Sequence, residues 1–200
     1  MMVNMGKLIC LSGLDGSGKT TQSKLIAKYF QSKNKKVNMI HLKESVIMPE
    51  KLMESFRQYI KSHSISDAKT IRNVLSAMLF VEKVNDVILP SLMKYDLTIV
   101  NRYIESALCY HFLKNGLTQY VTNIYNGLPI PDANFYIDVS PDICFQRIKS
   151  REKLNEFENI ANLNKAYDFY TTCKDQFIWI NGEEDMLNIC SNIVKKIEEM

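Results

Sequence analysis

Gly13-Leu14-Asp15-Gly16-Ser17-Gly18-Lys19-Thr20 fits the pattern G-x-x-x-x-G-K-[ST], and its surroundings supply the context that pattern requires. Leu8-Ile9-Cys10-Leu11 before it reads as a buried strand, and the residues after it repeat apolar side chains at helical spacing, with Leu25, Ile26, Tyr29 and Phe30 on one side. Glycines at 13, 16 and 18 allow backbone conformations closed to other residues. Successive N–H groups can then converge on an anion, while the helix N-terminus adds partial positive charge. Gly13, Leu14, Asp15, Gly16, Ser17, Gly18, Lys19, Thr20 and Thr21 are therefore the candidate nucleotide-binding positions. Lys19 is placed to neutralise β- and γ-phosphates, and the Thr20 hydroxyl to complete the shell of a Mg²⁺ that bridges them.

Working outward from this loop, strands and helices alternate, with no linker, repeat or low-complexity run. Short strands rich in Val, Ile, Leu and aromatics are expected at 7–12, 37–42, 97–101, 134–139 and 177–180. The first helix is expected over 19–33, and Pro49 is placed to open another. A long helical pattern over 66–93 contains Pro90, which should kink it or end it just before that residue. Ser140-Pro141-Asp142 reads as an N-cap, a first-turn proline and a first-turn acid, opening a helix that runs through Arg147 and Arg151. A final amphipathic helix is expected around 186–199. The expectation is an α/β protein: one domain over residues 1–200 with the P-loop NTPase fold, a five-stranded mostly parallel sheet, helices on both faces and a short lid.

Composition narrows the function. A chain of 200 residues with 46% hydrophobic and 24% charged residues is that of a globular protein, and its longest apolar runs fall far short of the roughly 20 residues that span a bilayer. The first six residues lack the features of a secretory signal, so a cytoplasmic location is expected. The five cysteines and three histidines are scattered, reading as free thiols and no transition-metal site. A net charge of +3 does not point to nucleic acid. The guanine-reading N-K-x-D segment is not matched: Asn34-Lys35-Lys36-Val37 lacks the Asp and precedes a strand.

Four segments resemble thymidylate kinases. Gly13 to Gln22 is similar to the family's G-x-D-G-x-G-K-[ST]-T-Q. Asn101-Arg102-Tyr103-Ile104-Glu105-Ser106-Ala107-Leu108-Cys109-Tyr110-His111 resembles D-R-Y-x-x-S-x-x-A-Y-Q. Gly127-Leu128-Pro129-Ile130-Pro131-Asp132 leads into a strand as in the family. Arg147 to Glu158 resembles the lid segment R-x-x-x-R-x-x-x-D-R-x-E, giving a lid at about 147–160. The resemblance implies phosphoryl transfer from ATP, with Mg²⁺, to a nucleoside monophosphate, foremost dTMP, and a homodimer. It implies that Asp15 approaches the sugar 3′-hydroxyl and fixes Arg102, that Arg102 binds the acceptor phosphate, that Ser106 lines the base pocket and that Tyr110 selects deoxyribose. Lys19, Arg102, Arg147, Arg151 and Asp15 are the catalytic candidates, with Glu44, Phe80 and Glu158 added on the substrate side. Arg147 and Arg151, four apart, would share one helical face toward the transferring phosphates, or else form a solvated basic face paired with Glu152 or Glu158.

The departures lie on the acceptor and metal side. Asn101 stands where the family has an Asp that organises Mg²⁺, and His41-Leu42-Lys43-Glu44-Ser45 retains little of R-E-P-G-G-T. Asn155 and Glu156 replace an Asp and an Arg. Alignment back from Pro90 puts Phe80 at the position of a base-reading Arg, whereas the local pattern makes it the base-stacking residue beside Lys83. A buried core role is the third reading. Arg72 and Arg57 are further candidates for the pocket cation or else surface residues. Two alternatives stay open here: a kinase for another or modified pyrimidine monophosphate, and a regulatory nucleotide-binding protein with weakened catalysis.

Overall fold

The computed structural model describes residues 5–42, 50–62, 67–116 and 119–200. Five strands, β1 (Lys7–Ser12), β2 (Val37–His41), β3 (Leu97–Asn101), β4 (Ala133–Asp138) and β5 (Ile178–Asn181), form one sheet in the order β2-β3-β1-β4-β5, every pair parallel. The helices are α1 (Lys19–Ser32), α2 (Glu50–Ser62), α3 (Ala68–Lys83), α4 (Leu89–Lys94), α5 (Ile104–Asn115), α6 (Gln119–Tyr125), α7 (Pro141–Ile148), α8 (Ile160–Thr172) and α9 (Met186–Glu198). Strand boundaries agree with the sequence reading to within one residue.

All of β3, and all of β1 after Lys7, is buried, because parallel strands are covered on both faces. Side chains alternate across β1 and so divide the core. Leu8 and Cys10 join Ile40, Phe80, Val84, Tyr103 and Tyr125 on one face. Ile9 and Leu11 join Ile26, Phe30, Phe135 and the α9 residues Ile189 and Ile193 on the other. Each such aliphatic side chain contributes about 1.5–3 kcal/mol on leaving water. A third cluster, with Tyr136, Cys144, Ile148, Leu163 and Tyr170, lies under α7 and α8. Asp132 fastens the start of β4 to β1: Leu8 N–H donates to its carboxylate (2.7 Å), and its own N–H donates to Leu8 O (2.9 Å).

Pro90 acts differently from expectation. The helix neither stops before it nor simply kinks; a π-helical turn, Val84–Ile88, joins α3 to α4, and Leu89 N–H reaches back to Val84 O. Proline lacks an N–H and its ring crowds the carbonyl four residues earlier, and the wider π turn accommodates both. A second correction concerns Ser140, which occupies the N-cap of α7 without a hydroxyl cap bond; its N–H donates instead to Glu183 (3.0 Å).

With β1 flanked by β3 and β4, connections from the central strands leave to opposite sides, and the crevice opens at the carboxyl ends of β1 and β3. Residues 13–20 and Asn101-Arg102 sit at those two ends.

Candidate functional site

The loop after β1 is built to face an anion. Gly18 caps α1 in the left-handed region (φ 95°, ψ 8°) and, having no side chain, offers no cap bond of its own at the helix end that faces the loop. Gly16 also has positive φ (96°), and a Cβ there would stand 2.5 Å from the Cys144 carbonyl oxygen. Gly16→Ala is therefore expected to lower stability by about 1–3 kcal/mol, through strain and the displacement of α7; thermal unfolding checks this, and an unchanged Tm would contradict it. Lys19 is buried, its Nζ donating to Gly13 O (3.0 Å), Leu14 O (2.6 Å) and Ser17 Oγ (3.3 Å). The ammonium thus lies within the loop, where it would meet phosphate oxygens.

A cleft of about 560 Å³ extends from this loop. Thr20 and Thr21 are exposed along it, Asn101 and Arg102 form its β3 side, and Arg147 and Arg151 overhang it. Asn101 is 1% exposed; its Nδ2 meets Ser23 Oγ (2.9 Å) and His41 Nε2 (2.7 Å), while its Oδ1 has no hydrogen-bond partner. The far end is closed by Gly182, Glu184, Met186 and Ile189, from the turn after β5 and the start of α9.

Arg102 holds the junction. Its backbone is in the left-handed region (φ 68°), rare for a non-glycine residue, and its N–H is anchored on Leu11 O (3.0 Å). The guanidinium donates to Asp15 Oδ1 and lies 5.6 Å from the centre of the Tyr110 ring, and the Tyr110 hydroxyl donates to Asp15 Oδ2 (3.2 Å). Burial works against the Arg102 charge, but Tyr110 and the Asp15 carboxylate outweigh it and push the pKa above its ordinary value. Tyr110 is itself held neutral by burial. Asp15, Arg102 and Tyr110, 95 positions apart at the extremes, thus form one hydrogen-bonded unit. A second cleft, of about 370 Å³, runs from Arg102 and Tyr110 between α3 and α5.

The segment between α7 and α8 covers both clefts. α7 ends at Ile148, so Arg151 lies beyond it and the expected shared helical face does not form. Both arginines nevertheless border the phosphate cleft: Arg147 Nη1 donates to Gly16 O (3.3 Å), and Arg151 pairs with the buried Glu158 (2.9 Å). Glu158 Oε2 accepts from Asn155 N–H (2.8 Å), so this carboxylate braces the segment. Phe157 packs edge-on against Tyr110, ring centres 5.4 Å apart, and lines the second cleft with Asn155 and Glu156.

The thymidylate kinase family model matches residues 11–193. The chain belongs to the thymidylate kinase family. It is 33% identical over 164 residues to a probable thymidylate kinase of Pyrococcus horikoshii, covering 80% of this chain and 78% of that one. It is 30% identical over 173 residues to a thymidylate kinase of Rickettsia africae, covering 84% and 79%.

As a thymidylate kinase family member, the chain gathers most of the residues singled out in its sequence: residues 15–21 of the loop, Arg102, Tyr110, Arg147 and Arg151 line the two clefts, which share Arg102, while Gly13 and Leu14 offer their carbonyls to Lys19. Ser106 lines the second cleft but its hydroxyl is bonded to Tyr170 (2.9 Å). Phe80 is 2% exposed, packed against Tyr103 and Tyr125, with the cleft along one side. Arg57 is a surface residue beside Glu54 (3.4 Å), whereas Arg72, its alternative, lines the second cleft. Glu44 lies outside the described residues. Sequence reasoning missed the 182–189 turn, His41 and Phe157. A strand followed by Asn181-Gly182-Glu183-Glu184-Asp185 signals a turn but not its closure over the first cleft.

Proposed function

We propose that this chain transfers the γ-phosphoryl group of ATP to the 5′-phosphate of dTMP, giving dTDP and ADP. The observation that carries this reading is that Arg102 lines both clefts, bonded to an acid inside the phosphate loop of the first and stacked on the tyrosine wall of the second. A donor triphosphate on residues 13–20 and an acceptor phosphate on Arg102 then meet at one point. An oxygen of the acceptor phosphate attacks the γ-phosphorus in line as the bond to the ADP oxygen breaks, and no protein nucleophile is needed. Lys19 and the overhanging Arg147 and Arg151 balance the charge on the transferred group. Tyr110, fixed by Asp15 and Phe157, crowds the sugar and favours deoxyribose. The 149–159 segment excludes water, which would otherwise take the phosphoryl group. A coupled ADP-release assay over deoxy- and ribonucleoside monophosphates tests the reading; dTMP should be the preferred acceptor, and a ribonucleotide preference would contradict it.

The residues present fit Mg²⁺. Thr20 offers its exposed hydroxyl, and the unpaired buried Oδ1 of Asn101 would accept a hydrogen bond from a metal-bound water. Bound there, Mg²⁺ would neutralise β- and γ-phosphate charge. Asn101→Asp places an anion beside the same point, and the Mg²⁺ concentration for half-maximal rate is expected to fall by about tenfold, worth about 1.4 kcal/mol. An unchanged or higher requirement in a Mg²⁺ titration would contradict this.

A cytoplasmic location and a homodimer go with this reading as family properties. Exposed Ile71 and Met78 on α3 supply apolar surface for such a contact. Among the described residues no helix is long and apolar enough to cross a membrane.

A further inference from the structure

His41 and Asn101 end the neighbouring parallel strands β2 and β3 and are register partners, so their side chains stand side by side on one face of the sheet. Both line the first cleft together with Thr20. Asn101 is 1% exposed and His41 is exposed, and the Asn101 Nδ2 lies 2.7 Å from the His41 Nε2.

The way round of the Asn101 amide follows from its other neighbour. Ser23 Oγ stands 3.1 Å from the carbonyl oxygen of Thr20, and a carbonyl only accepts, so the Ser23 hydroxyl hydrogen is committed there. Ser23 Oγ therefore turns a lone pair to Asn101 (2.9 Å), and the group it meets must be the amino end, Nδ2. The second Nδ2 hydrogen is directed at His41 Nε2, which must accept it. That ring nitrogen then carries a lone pair, with the imidazole proton on Nδ1. Held between two acceptors, the amino end leaves Oδ1 without a protein partner on the cleft side. A half-turn of the amide would send its N–H groups toward the cleft instead, where they would meet the hydrogens of a water donor to donor.

We infer that His41 is a positioning residue: its Nε2 lone pair holds the Asn101 amide with the oxygen toward the cleft, which lets a neutral side chain serve the water shell of the nucleotide's divalent cation. This rests on the reading that Asn101 Oδ1 faces that shell. A carboxylate presents an oxygen whichever way it turns, so it needs no such partner. An amide does so in only one of its two orientations, and the acceptor at position 41 selects between them.

The test measures ATP affinity by calorimetry without an acceptor nucleotide while Mg²⁺ is varied, in the wild type, His41→Leu, His41→Gln, Asn101→Asp and the double variant His41→Leu/Asn101→Asp. His41→Leu should raise the Mg²⁺ concentration that half-saturates the gain in ATP affinity by about 5-fold, as one hydrogen bond's preference is lost. His41→Gln keeps an acceptor oxygen and should recover most of it. In the Asn101→Asp background, where there is no amide to orient, His41→Leu should cause no further rise. In mildly alkaline buffer, the ¹⁵N resonance of His41 Nε2 should be that of an unprotonated ring nitrogen. No rise with the wild-type Asn101, equal rises in both backgrounds with circular dichroism unchanged, or a protonated Nε2 each overturn the inference. If Asn101→Asp still lowers the Mg²⁺ requirement in that case, only the role of His41 fails. If Asn101→Asp does not lower it, the metal-side reading of Asn101 fails and the inference with it.

Discussion

Lys19→Ala is expected to lower kcat by about 10³-fold or more, equivalent to about 4 kcal/mol of transition-state stabilisation, with the fold intact. The side chain is buried against the carbonyls of Gly13 and Leu14, so its ammonium lies in the loop that frames the phosphates. It is the one cation within the 13–20 loop; Arg147 and Arg151 approach from the opposite side, one bonded to Gly16 O and the other held by Glu158. Neither can occupy the Lys19 position without breaking those contacts. The structural cost is modest, since the two carbonyls lose one donor each, about 1 kcal/mol apiece. Circular dichroism should therefore match the wild type while turnover is lost. Activity within tenfold of wild type would refute the role given to this lysine.

Arg102→Met has the second large effect and acts on two levels. Functionally it removes the cation at the junction of the clefts, and kcat/KM for the acceptor should fall by about 10³-fold. Structurally it takes the cation from Asp15, whose side chain is 14% exposed beside an arginine 9% exposed and which keeps the Tyr110 hydroxyl bond, and the loss of the charged partner from a mostly buried pair costs about 3 kcal/mol. The two levels separate in the double variant Asp15→Asn/Arg102→Met. Removing both charges should restore much of the stability, seen as a recovered Tm, without restoring activity. Equal Tm values for the single and double variants would show that the pair carries no net electrostatic burden.

The left-handed backbone at Arg102 goes with a side chain directed into the junction, and nothing in the residue name announces it. What the sequence did disclose was local. The 13–20 loop is legible because glycines, lysine and threonine at fixed spacing have few other uses, and the buried strands because all-apolar runs suit parallel sheet. Helix α5 was harder to read: it buries Ser106 and His111 among apolar neighbours, which dilutes its stripe. Arg151 looked helical by its spacing from Arg147, but α7 stops at Ile148 and the loop is set by Glu158, a contact seven residues away that no periodicity encodes. Arg72 is the clearest case of information that only packing supplies. Its sequence context matches an exposed helix face, and its place in the cleft depends on α5 lying across α3.

The most direct test is to incubate the protein with Mg²⁺, γ-³²P-ATP and dTMP and to identify the labelled product chromatographically. Label in the β-phosphate of dTDP, formed in equal amount to ADP and absent in Lys19→Ala, is the expected result. ATP binding with no labelled dTDP, or label released only as inorganic phosphate, would contradict phosphoryl transfer to dTMP.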